Sequence, residues 1–338
     1  MLYHFDTEGV IRWIRARSLR RVAVQFPEGL KRYAIELVRD LGEAVDCDFF
    51  LIGDPCYGAC DFPTGFRDYA DALIQFGHSP IPSLAREDML FVEVPSLSDP
   101  SSLVQEALPL LKKRVGLIAT TQHIHALGDL RKMLEAEGIK VEVGRGDNRI
   151  RHPGQILGCN VTAALAVSRM VDQFLYLGSG NFHPLAVAIT THLPVIVMDP
   201  LAREVRGIDE LKERILRQRH AAITLASQAT SFAVLGSYKP GQLRKETIEI
   251  VVNQLEKAEK EYVTIFMNNF DPDYLTQFDV EIYVCVACPR LAIDDYLRFR
   301  RPMITPPELE IALGLRKWED YMFDQILEQN TEPASKHK

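Results

Sequence analysis

One phrase recurs three times along the chain and constrains the fold more than any other feature: a short apolar strand, a loop rich in Gly, Pro, Gln or His, an amphipathic helix, then another strand. The first statement runs RVAVQ (21–25), FPEGL, a helix with apolar positions Leu30, Ala34, Leu37, Val38 and Leu41, and CDFFLIG (47–53). The second runs VGLIAT (115–120), TQHIHAL, a helix carrying Leu127, Leu130 and Leu134 that Gly138 closes as a left-handed cap, and KVEVG (140–144). The third runs FAVLGS (232–237), YKPGQL, a helix carrying Ile248, Val251, Leu255 and Ala258, and YVTIFMNNF (262–270). In each helix the spacing lays one apolar stripe on a sheet.

Each statement is followed by a further apolar strand introduced by Asp: DALIQFGH from Asp71, DQFLYLGSG from Asp172 and DVEIYVCVACP from Asp279. The first two units add a fourth strand, MLFVEVP and PVIVMDP, which the third lacks. Strands alternating with helices imply parallel sheets covered on both faces, with right-handed crossovers. The expectation is therefore an α/β protein of three related small parallel-sheet αβα domains in pseudo-threefold arrangement. They span 1–100, 101–200 and 201–338, with boundaries near Pro100 and Leu201. Two helices, TPPELEIALG with Thr305 as its N-cap and WEDYMFDQIL, close the chain.

A length of 338 residues is ample for such cores, and the formal net charge of −7 argues against a basic nucleic-acid face or an anionic membrane surface. No apolar run is long enough to span a bilayer, and MLYHFDTEGVIRWIR carries charges where a signal peptide needs an apolar core; the expectation is a cytoplasmic protein. There is no Ser-His-Asp order, P-loop or full G-x-G-x-x-G to support hydrolytic or dehydrogenase readings. The basic run RFRR (298–301) reads as a solvated face, or equally as a contact for an acidic or RNA-like surface.

The six cysteines are too few for a disulfide scaffold in a chain of this kind, so their positions carry the argument. Parallel α/β sheets bind ligands beyond the carboxyl ends of their strands. Cys60 in DPCYGACD, Cys159 in GQILGCN and Cys288 in VCVACPR each fall at that edge of a different unit. Around a pseudo-threefold axis they converge, and three thiolates without a fourth fit an iron-sulfur cubane with one iron left open. Zinc is the rival: Cys56 with Cys60 and Cys285 with Cys288 can be written as a four-cysteine site, which leaves Cys159 unexplained. Cys47 and Cys285 read as core thiols, and Cys56 as a spare ligand or an oxidisable neighbour.

YGACD, LGCN and ACPRLAIDD, together with QFPEGL, TTQHIHAL and TPPELEIALG, resemble the archaeal 2-(3-amino-3-carboxypropyl)histidine synthase family of diphthamide biosynthesis, from about Arg21 to the C-terminal helices. The resemblance implies a homodimer in which Cys60, Cys159 and Cys288 hold a [4Fe-4S] cluster, with Cys56 and Cys285 as neighbours. It implies noncanonical radical S-adenosylmethionine (SAM) chemistry, since the CxxxCxxC run of the large radical superfamily is absent. An electron delivered by a donor protein would break the bond from sulfur to the γ-carbon and release 5′-methylthioadenosine. The 3-amino-3-carboxypropyl fragment would add to imidazole C2 of a histidine in elongation factor 2.

Orienting SAM would fall to polar residues at the same sheet edge: His78, Gln122, His123, Gly178, Gly180, Lys239, Gln242 and Arg290, the last as a bidentate carboxylate partner. Each is equally readable as a turn residue, a surface group or a cap. His152 and His183 read as isolated. The competing functions are a quinolinate synthase-like [4Fe-4S] lyase and a zinc-stabilised, non-catalytic adaptor subunit.

Overall fold

The three phrases fold into three sheets with one strand order. In the computed structural model, which describes residues 2–328, the first sheet comprises β1 (Arg21–Gln25), β2 (Asp48–Leu51), β3 (Ala72–Phe76) and β4 (Met89–Val92) in the order β2-β1-β3-β4. The second comprises β5 (Arg114–Ala119), β6 (Lys140–Glu142), β7 (Gln173–Leu177), β8 (Val195–Asp199) and β9 (Glu204–Gly207) in the order β6-β5-β7-β8-β9. The third comprises β10 (Ser231–Ser237), β11 (Glu261–Met267), β12 (Ile282–Cys285) and β13 (Met303–Ile304) in the order β11-β10-β12-β13. All pairings are parallel except β8 with β9, which extends the second sheet past the boundary expected near Leu201. The inner strands β3, β7 and β8 are buried throughout, as continuous apolar runs covered on both faces require.

The Asp that introduces the third strand of the first two units has a physical role. Asp71 accepts from the Arg21 backbone N–H at 2.9 Å and pairs with the Arg21 guanidinium at 2.8 Å, tying β3 to the start of β1. Arg114 and Asp172 repeat the pair in the second unit at 2.5 Å. In the third unit Glu281 takes this role, accepting from the Thr230 and Ser231 backbone N–H groups at 2.6 and 3.1 Å, while Asp279 lies outside at 3.8 Å from Arg301. Gly138 does end its helix with positive φ, 79°.

Two expectations need correction. The third unit does not lack a fourth strand: β13 pairs with β12, but at two residues it is too short to show as an apolar run. Nor is WEDYMFDQIL a helix. Only Trp318–Asp320 forms a 3-10 turn, and the following residues run irregularly across the second unit, where the Ile326 N–H donates to the Cys159 carbonyl at 2.7 Å. Thr305 does begin a helix, Pro306–Ala312, with the Glu308 carboxylate reaching back to its N–H at 2.8 Å.

A long helix that the repeat reading passed over, Asp209–Gln228, fastens this end of the molecule. Its Arg219, 2% exposed, donates to both Glu308 oxygens at 2.8 and 2.6 Å and to the carbonyls of Ala292 and Met303, each at 2.6 Å. Burial raises the Glu308 carboxyl, but Arg219 beside it outweighs burial and holds it below the usual range. A lowered folded-state pKa means that the stabilisation is present above the ordinary glutamate value and is lost as pH falls through the lowered one. Arg219→Met strands a buried carboxylate and is expected to cost about 3–5 kcal/mol at neutral pH in urea unfolding, with a smaller cost when combined with Glu308→Leu. A loss below about 1 kcal/mol in the single variant would contradict the assignment.

Candidate metal centre

Each of the three cysteines is held by a different local device. Cys60 follows β2 in a turn where the Asp61 N–H donates to the Gly58 carbonyl at 3.0 Å. Cys159 sits in the turn Leu157–Asn160, closed by mutual backbone bonds of 2.9 and 3.0 Å. The Asn160 amide anchors that turn to the Asp147 carboxylate at 2.9 and 3.0 Å, and a Cβ on Gly158 would come within 2.1 Å of the Phe182 ring. Cys288 lies three residues beyond β12, with its carbonyl accepting from the Leu291 N–H at 3.1 Å.

All three line one cavity, with Tyr57, His78, Gln122, Arg149, His183, Gln242 and Arg290 among the other wall residues. Cys56 and Cys285 do not line it; both are buried, Cys56 against the Asp61 carbonyl at 3.5 Å and Cys285 against the Cys288 carbonyl at 3.3 Å. Burial pushes Cys159 up to about 12, with Cys60 adding to the shift. Cys288 is driven well above its usual value by burial and then by Cys159 and Cys60. Burial likewise raises Cys60, opposed by a hydrogen bond from Gln242. The three sulfurs therefore feel one another, and three thiolates are stable there only beside compensating positive charge.

That donor set fits a soft iron-sulfur group. Among the described residues, Cys56 and Cys285 are buried away from the wall that Cys60 and Cys288 line, so the four cysteines written for a zinc site do not share one cavity. A cubane takes its thiolates on separate irons, and its ligands need not meet at a point.

The orienting residues divide. His78, Gln122, Gln242 and Arg290 line the cavity; His123, Gly178, Gly180 and Lys239 do not. The Gln122 amide is committed to the Gly77 carbonyl at 2.6 Å, joining the second unit to the first. Gly178 and Gly180 close the turn after β7 with φ of 151° and 79°. Burial lowers both His78 and His183 to about 4, the latter helped by Arg290, so both present neutral imidazoles. The Arg290 guanidinium lies over the rings of Tyr57 and Phe182, at 5.6 and 5.9 Å, and is ion-paired with Asp294 at 3.2 Å. His183, itself in the cavity wall, is not isolated: its ring lies parallel to that of Tyr176, with centroids 6.3 Å apart. His152 is not isolated either, its Nε2 lying 2.6 Å from Glu93. Arg149, 8% exposed and with its Nε unpartnered, was missed because it lies in a loop outside the repeated phrase.

A family model described as diphthamide synthesis protein matches residues 26–322. The chain belongs to that family. It is 39% identical to the 2-(3-amino-3-carboxypropyl)histidine synthase of Pyrococcus horikoshii, over 97% of this chain and 95% of that one. It is 28% identical to the enzyme of the same name from Methanocaldococcus jannaschii, over 97% and 95%. Identity to subunit 1 of the human 2-(3-amino-3-carboxypropyl)histidine synthase is 29%, over 94% and 73%. The crystal structure of Dph2 from Pyrococcus horikoshii with a 4Fe-4S cluster superposes with a TM-score of 0.88 at 38% identity, covering 98% of both chains. Membership of the diphthamide family leaves the quinolinate synthase-like lyase without support.

Gly241 of the third unit packs directly against Cys60 of the first. A Cβ there would stand 2.3 Å from Cys60 Cβ and 2.6 Å from its Cα. Gly241→Ala is expected to lower iron uptake after anaerobic reconstitution with iron and sulfide, as is alanine at Cys60, Cys159 or Cys288. Cys47→Ala should take up iron normally; equal loss in that control would contradict the assignment.

Proposed function

We propose that this protein is a 3-amino-3-carboxypropyl transferase acting in the first step of diphthamide biosynthesis. It moves that group from SAM to imidazole C2 of a histidine in elongation factor 2 and releases 5′-methylthioadenosine. The observation that carries the reading is the single cavity lined by Cys60, Cys159 and Cys288, one from the loop region of each sheet. Those three residues are the proposed ligands, and Cys56 and Cys285 are their buried neighbours. A reduced [4Fe-4S] cluster bound there supplies the electron that breaks the bond between sulfur and the γ-carbon.

The protein's own part is orientation. Arg149 and Arg290 are the guanidinium groups on the cavity wall, and either can meet the SAM carboxylate; Arg149 Nε has no other partner. His78, Gln122, His183 and Gln242 shape the remaining polar wall, while Phe182 and Tyr57 narrow it against water. Gly178 and Gly180 act one layer behind, by turning the chain after β7. Holding the γ-carbon toward the open iron is what would select this bond over the one to the adenosyl carbon.

The substrate protein, the electron donor and a second copy of the chain are the proposed partners, in the cytoplasm. No helix among the described residues is long and apolar enough to cross a membrane. Anaerobic turnover with dithionite, SAM and elongation factor 2 should yield 5′-methylthioadenosine and a factor heavier by one 3-amino-3-carboxypropyl group. Formation of 5′-deoxyadenosine instead would contradict the proposal.

A further inference from the structure

The loop after β10 grips the Cys60 turn at three points, and only the first is a buried ion pair. Lys239 Nζ lies 2.7 Å from Asp61 Oδ2 and 3.0 Å from Asn269 Oδ1, with the Lys239 and Asp61 side chains only 10% and 7% exposed. Two and three residues on, the Gly241 N–H donates to the Cys60 carbonyl at 3.2 Å and Gln242 Nε2 donates to Cys60 Sγ at 3.5 Å. Arg149, from the second unit, donates to the Gly241 carbonyl at 3.1 Å. All three units therefore meet on this loop. The Lys239 ammonium is engaged by Asp61 and Asn269, and it lines the neighbouring pocket that shares Tyr57, Gln242, Cys288 and Arg290 with the cysteine cavity rather than the cavity itself.

We propose that Lys239 is a positioning residue: its ion pair with Asp61 latches the Cys60 turn to the third unit, and so fixes the Gln242 hydrogen bond on the Cys60 sulfur. The inference rests on the functional reading above, because the bond matters most when that sulfur ligates iron. Removing two charges from water is costly, and at this loop the contacts that Gly241 and Gln242 make with Cys60 assign the pair to fixing one geometry. An N–H donor on a ligating sulfur favours the more reduced, more negative cluster, so holding Gln242 in place raises the reduction potential. The cavity can then be loaded and reduced without Cys60 shifting relative to the other two sulfurs.

Lys239→Met alone would leave Asp61 as an uncompensated buried charge, so the test uses variants that avoid this. Lys239→Met combined with Asp61→Asn removes both charges, Lys239→Arg preserves the pair, and Gln242→Leu removes the donor on sulfur. Each is reconstituted anaerobically and read by circular dichroism, iron content, an EPR-monitored redox titration and 5′-methylthioadenosine formed per loaded cluster. The expected result is a native circular dichroism spectrum in the double variant and a potential shifted negative in the same direction as in Gln242→Leu. SAM cleavage per cluster should fall ~10–100-fold, with recovery in Lys239→Arg. A double variant that folds but takes up no iron, while Lys239→Arg does, supports the latch equally. A wild-type potential and rate in the double variant overturns it, as does failure of the double variant to fold, since the pair is then a stability element. Wild-type protein that loads iron yet yields no 5′-methylthioadenosine contradicts the functional reading but leaves the potential comparison standing. Wild-type protein that loads no iron contradicts both.

Discussion

Everything in this molecule depends on one constraint of parallel sheets: their strands all leave from the same edge, so the loops that can carry chemistry are gathered there. Three sheets of the same order contribute Cys60, Cys159 and Cys288 to one cavity. Burial and mutual repulsion work against thiolates at that point, so the apparatus around them has to hold the loops in place until a metal group offsets the charge. The holding is distributed. Asn160 fixes the Cys159 turn, Ile326 from the C-terminal segment binds its carbonyl, and the loop carrying Lys239, Gly241 and Gln242 fixes Cys60.

Stability and function are divided between two ion pairs of similar burial. Arg219 and Glu308 join the long helix to the C-terminal helix and support β13, away from the cavity. Lys239 and Asp61 join the third unit to the first beside the loop that carries Cys60. Arg244 forms a third pair, with Asp324 at 2.8 Å, which brings the segment after Trp318 against the loop that carries Cys288: Arg244 also donates to the Val286 carbonyl at 3.3 Å. That segment is anchored on two units: Asp324 pairs with Arg244 of the third, while Gln325 Oε1 accepts from the Val161 N–H and the Ile326 N–H donates to the Cys159 carbonyl of the second.

Periodicity made the architecture legible: apolar runs and helix stripes located eleven of the thirteen strands, and the two that escaped, β13 and the antiparallel β9, lack a long apolar run. The cysteines were legible because each stands at an equivalent edge of a repeat, and the second member of each close pair is the one that reaches the cavity. Polar residues were harder. Sequence places Lys239 and Gln242 at the right edge but cannot say that one turns toward Asp61 while the other turns toward sulfur. Arg149 and His183 carry no local signature at all; tertiary packing alone brings them to the wall.

In the proposed function, three cysteines bind the cluster and leave one iron for SAM. Mössbauer spectroscopy of protein reconstituted with 57Fe tests it most directly, with and without SAM. SAM is expected to change the isomer shift and quadrupole splitting of one iron in the cubane while the other three keep theirs. Four irons that all remain unchanged when SAM is added, or iron bound as isolated ions, would contradict it.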